Sequence, residues 1–183
     1  MMPPWNAANM RGRRRPWILL PLPLLILTAC SPAEQPIVAL AVQDGRPVGV
    51  LVTCDDRDAN IRVFENDHQG EPGKRPLIRW RVGGPPASEV VEVALLGQPP
   101  EGWEVADAGD SPATEVDVEL LSEFRAGVTY TLDGSSRSKA LSVDFTLADL
   151  PRIGPDQVLA PHGHNSTEVV SRETFLRKAR DRC

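Results

Sequence analysis

Few side chains in this sequence have the types and spacing that chemistry requires. Pro161-His162-Gly163-His164 places two imidazoles two residues apart, and His68 is the only other histidine. An H-x-H pair grips copper or zinc when a third ligand joins it. No thiol or methionine cluster lies beside this one, so His162 and His164 are weak metal candidates and a solvated loop is the plainer reading. Asp56-Arg57-Asp58-Ala59-Asn60 opens in the manner of a calcium loop. Position six, where the turn needs glycine, is Ile61, and position twelve, where a bidentate glutamate belongs, is Asp67. An acidic turn after a strand fits better. Glu115, Asp117 and Glu119 line one side of an alternating run; paired carboxylates do acid–base work, but on a polar strand face they are solvated. There is no G-x-S-x-G elbow, and Gly83-Gly84-Pro85-Pro86 reads as a strand connection. Cys54 and Cys183 sit in no nucleophile motif. The expectation is a chain with no catalytic residue and no cofactor, an envelope enzyme being the lesser alternative.

The third cysteine has a different context. Trp17–Ala29 is an apolar run of 13 residues containing Pro21 and Pro23, preceded by Arg11, Arg13, Arg14 and Arg15. A membrane span needs about 20 apolar residues. This run has instead the length of a signal-peptide h-region behind a positive n-region. Leu27-Thr28-Ala29-Cys30 then resembles the lipobox of bacterial lipoproteins, in which the signal is cut before the cysteine and its sulfur receives a diacylglycerol. The likeness implies a lipoprotein signal over residues 1–29 and Cys30 as the lipidated first residue of the mature chain. Arg14-Arg15-Pro16-Trp17-Ile18-Leu19 also has some likeness to a twin-arginine signal, so the export route stays open. Residues 30–36, with Pro32 and Pro36 and no apolar periodicity, read as the lipidated cysteine and a short tether. The expected location is the outer face of the cell membrane, with membrane lipid as one partner through diacylglyceryl-Cys30.

The mature part, residues 30–183, has the size of one domain. Losing the signal removes four arginines and no acid, leaving 16 basic and 25 acidic side chains and a net charge of −9. Such a surface disfavours nucleic acid and anionic headgroups. Arginine outnumbers lysine 17 to 3, a composition similar to that of high-GC bacteria such as actinobacteria.

The dominant periodicity in residues 37–147 is two. Val38, Leu40 and Val42 alternate before Asp44-Gly45, a hairpin signal, and Val48, Val50, Val52 and Cys54 alternate after it with Gly49, Leu51 and Thr53. Further alternating runs carry Ile61 and Val63; Ile78, Trp80 and Val82; Val91, Val93 and Leu95; Val116, Val118 and Leu120; Val128, Tyr130 and Leu132; Leu141, Val143, Phe145 and Leu147. About eight short strands, each apolar on one face, predict antiparallel sheets packed face to face. The first face of the Val48 run, Cys54 included, is expected to point into the interior.

Leu121-Ser122-Glu123-Phe124-Arg125-Ala126-Gly127-Val128-Thr129-Tyr130 resembles the tyrosine corner of immunoglobulin-like and fibronectin type III domains, and Trp80 is placed like their core tryptophan. The likeness covers residues 37–147 and implies an all-β, immunoglobulin-like sandwich, in a domain that runs over residues 37–183 and includes a C-terminal helix. It departs from the antibody pattern at Leu132, where the partner cysteine would fall. A small β-barrel is the alternative architecture. Ser171 as N-cap, Val170 and Phe175 as a staple, and basic residues toward the end predict a helix over 171–182. Phe175, Ala179 and Cys183 share one stripe of it. An even pair of cysteines in an exported chain suggests a Cys54–Cys183 disulfide, two isolated thiols being the rival. The resulting expectation is a non-catalytic, membrane-anchored module that binds an unidentified protein or envelope component. The alternative is a small-ligand or metal-binding lipoprotein that uses the His162/His164 loop beside a transporter.

Overall fold

Two sheets, one of five strands and one of six, form the body of a computed structural model that describes residues 34–54, 58–66, 77–106, 118–163 and 166–183. In chain order the strands are β1 Val38–Gln43, β2 Arg46–Val52, β3 Ala59–Glu65, β4 Leu77–Gly84, β5 Val90–Ala94, β6 Glu104–Val105, β7 Val118–Leu120, β8 Tyr130–Ser135, β9 Val143–Phe145, β10 Gln157–Pro161 and β11 Thr167–Ser171. One helix, α1 Arg172–Arg180, follows. All the described residues belong to one compact unit, Ser31–Cys183. The signal region and Cys30 lie outside the described residues.

The first sheet runs β11-β10-β1-β2-β5 and the second β6-β4-β3-β8-β9, with β7 also on β4. Strands β1-β2-β5 and β4-β3-β8-β9 follow the A-B-E and C′-C-F-G order of immunoglobulin-like sandwiches. Two separate sheets, not one closed one, set aside the barrel alternative. The β1–β2 hairpin turns at Asp44 and Gly45, whose φ angles of 49° and 74° are those that a type I′ turn needs. The tyrosine corner is formed: the backbone N–H of Arg125 donates to Tyr130 Oη at 2.7 Å. Phe124 meets the Tyr130 ring edge-on at 4.9 Å, and Phe145 completes the cluster. Trp80 is buried in the same core, and Leu132 fills the place of the absent cysteine.

The interior between the sheets is built from Val38, Leu40, Leu51, Val91 and Val93 on one side and Ile61, Val63, Trp80, Val82, Tyr130, Leu132, Val143 and Phe145 on the other. Gly49 faces this interior as well, since a Cβ there would lie 3.2 Å from Leu95 and 3.3 Å from Ile61. The face assignment expected for β2 is therefore corrected. Gly49 and Leu51 point inward, while Val48, Val50 and Val52 point to the other side of the first sheet. Those valines are buried all the same, as are Ala39, Ala41, Val158 and Ala160 on that side. Helix α1 covers them: it packs against β2, β10 and β11 and buries Phe175 and Ala179.

Three further expectations are revised. There are eleven strands among the described residues, not eight; β6 and the β10–β11 hairpin were not legible. One pair, β4–β7, is parallel. Leu120 does not enter the core and is half exposed, whereas its neighbour Leu121 is buried. The helix spans 172–180, with the Ser171 hydroxyl accepting from the Thr174 N–H at 3.2 Å as the expected cap. Cys54 and Cys183 form the disulfide, with Cα atoms 4.9 Å apart.

Candidate functional site: the open face of the second sheet

The outward side of the second sheet carries polar and charged side chains on three neighbouring strands, β4, β3 and β8. Alternation along β3 and β4 dictates which they are. With Ile61 and Val63 inward, Asn60, Arg62 and Phe64 point out; with Trp80 and Val82 inward, Arg79, Arg81 and Gly83 point out. Register then arranges them in rows across the strands. One row is Ser135–Asn60–Gly83–Glu104, the next Asp133–Arg62–Arg81, and the third Asp144–Thr131–Phe64–Arg79–Leu120.

The β8 side of this face is closed by its own hydrogen bonds. Asn60 Nδ2 donates to Ser135 Oγ at 2.5 Å. Arg62 Nε donates to Asp133 Oδ2 at 2.9 Å, and Thr131 Oγ1 donates to Asp144 Oδ1 at 2.6 Å. Asp133 and Thr131 are each only 5% exposed. A carboxylate that deep requires a partner, and Arg62 supplies it. The β4 side differs. No ion pair or side-chain hydrogen bond among the described residues reaches Arg79 or Arg81, although Arg81 stands directly opposite Arg62. Like charges opposite each other on a sheet are unfavourable. Phe64 and half-exposed Leu120 flank Arg79 in its row. The chemistry offered is that of planar cations beside apolar surface, suited to carboxylate or phosphate oxygens.

The sequence-derived candidates fare unevenly. His162 is exposed; its Nδ1 lies 3.2 Å from Glu168 Oε1, and its backbone N–H donates to Ser166 O. His164 and His68 lie outside the described residues, as do Glu115, Asp117, Asp56 and Asp67. Asn60 belongs to a strand and Ile61 to the core, which removes the geometry of a calcium loop. No group of three metal-ligating side chains stands together among the described residues. Glu119 is exposed and lines a groove of about 160 Å³ with Glu65, Glu123 and Arg125; Arg125 pairs with Glu65 there and its guanidinium pKa is raised by that hydrogen bond. No described helix is long and apolar enough to cross a membrane.

The arginine row was missed at the sequence level, although Arg79 and Arg81 alternate visibly with Ile78, Trp80 and Val82. The signal was there, but cross-strand register with Arg62 and Phe64 is a long-range property. No family model, no curated protein and no solved structure matches this chain.

Proposed function

We propose that this chain is an exported lipoprotein, held on the outer face of the cell membrane through diacylglyceryl-Cys30, whose sandwich is a non-catalytic binding module of the cell envelope. The allocation of the cysteines carries the reading. The chain has three. Cys54 and Cys183 are bridged, and persistent disulfides belong to oxidising compartments. The remaining one, Cys30, ends the apolar run at the lipobox-like Leu27-Thr28-Ala29. The binding role rests on the arginines of β4, Arg79 and Arg81, which have no ion-pair partner among the described residues, with Phe64 and Leu120 flanking Arg79. Interface centres favour arginine and aromatic residues, and the partner, a protein or other envelope component, would present anionic groups beside apolar ones.

Detergent-phase partition of wild type and Cys30→Ala, expressed in a lipoprotein-processing bacterium, tests the anchor. Wild type is expected in the detergent phase and the variant either unprocessed or in the aqueous phase. Equal partition of wild type and a cleaved variant would sink the reading.

A further inference from the structure

A lipid on Cys30 fixes more than location, because the sandwich takes hold of the chain very soon after it. Gln35 is already part of the fold, earlier than the tether expected through Pro36. Its N–H donates to Lys139 O at 2.9 Å, and its carbonyl accepts from Leu141 N at 2.7 Å, making a parallel bridge beside Ala140. Glu34 adds an ion pair to Lys139 Nζ at 2.8 Å. The β8–β9 turn is thereby strapped to the start of β1.

We infer that the end of the sandwich around Gln35, with the β8–β9 turn Ser136–Lys139 at its tip, faces and touches the phospholipid headgroups of the anchoring membrane. The inference rests on lipidation of Cys30. Five residue steps separate Gln35 from Cys30, and a fully extended chain spans at most about 3.6 Å per residue, so the reach is about 18 Å. Along β1 the opposite end lies eight steps away, at the Gln43–Arg46 pair, or about 26 Å at 3.3 Å per residue. If that far end rested on the membrane, Gln35 would stand higher than its tether allows. The near end meets no such limit. Arg137 and Lys139 are exposed there and can donate to headgroup phosphate oxygens. In this attitude the strands run away from the bilayer. The arginine row of β4 stands on the flank, and the Gln43–Arg46 hairpin points outward.

The test uses full-length lipidated protein in vesicles of phosphatidylcholine and phosphatidylglycerol that carry a headgroup-linked energy acceptor. A fluorescent amino acid is introduced in place of Arg137 or, separately, of Arg46, leaving the cysteines untouched. Transfer from position 137 is expected to exceed transfer from position 46 severalfold. Vesicles that float with the protein but give equal or reversed transfer overturn the orientation while leaving the anchor intact. Failure of the wild-type protein to float with vesicles overturns the anchor, and the orientation with it.

Discussion

In the first sheet the outward residues of β2, Val48, Val50 and Val52, lie under helix α1. In the second sheet the outward residues of β3 and β4 are Asn60, Arg62, Phe64, Arg79 and Arg81 and have no such cover among the described residues. The inner faces of the two sheets are alike, so the difference arises from what the outer faces require. An apolar outer face must find a second layer or lose its burial, at roughly 25 cal/mol per Å². The chain supplies that layer from its own C-terminus and then fastens it. Arg172 pairs with Glu92 across β5, and Arg180 Nε donates to Glu89 at 2.9 Å. The disulfide ties Cys183, just past the helix, to Cys54, just past β2. A polar outer face needs only that its deepest charges be paired, as Arg62 pairs with Asp133.

The largest separation between the two faces is expected from Cys183→Ser. The bridge spans 129 residues, for which the chain-entropy model gives about 5 kcal/mol. Urea unfolding of the unreduced soluble domain is expected to show a loss approaching that value, with exposure of the α1-covered face preceding loss of the sandwich. An unchanged midpoint would mean that the helix holds without its clasp. Next, Phe175→Ala is expected to cost about 3–5 kcal/mol, because the ring is 3% exposed beneath the helix. Phe64→Ala, on the open face, is expected to cost under about 1 kcal/mol. Equal costs in the same unfolding assay would erase the distinction between the faces.

Within the open face, Arg62→Ala should destabilise by about 2 kcal/mol, since it strands the buried carboxylate of Asp133. The figure is kept low because the Arg62 side chain is 40% exposed and screened by solvent. Ser171→Ala removes the hydroxyl that caps α1 and should cost about 1 kcal/mol. Smallest of all, Arg81→Ala should change stability by less than about 0.5 kcal/mol. A large loss there would show that Arg81 serves the fold and is not held for a partner.

Period-two patterning and local turn chemistry made much of this legible. Asp44-Gly45 gave the type I′ hairpin, Gly127 and Tyr130 the corner, Ser171 the helix cap, and the even pair Cys54 and Cys183 the disulfide, although the inward face expected for Cys54 was the wrong one. The face of β2 was not legible. Val48, Val50 and Val52 alternate with Gly49 and Leu51, and a run that is apolar on both sides carries no phase until its two coverings are known. The β10–β11 hairpin was missed for the same reason: Gln157–Pro161 is buried almost throughout and shows no alternation. Leu120 misled because β7 is three residues long and lies at a sheet edge, where alternation need not mean burial. The arginine row required register between strands that are distant in sequence, which no local pattern encodes.

The proposed anchoring and export depend on how three cysteines are divided, and mass spectrometry of the membrane-extracted protein without reduction reads that division directly. The predicted result is a mature chain whose first residue is Cys30 carrying a diacylglyceryl group, together with a linked peptide pair containing Cys54 and Cys183. An unacylated chain that begins elsewhere, or free thiols at Cys54 and Cys183, would contradict it.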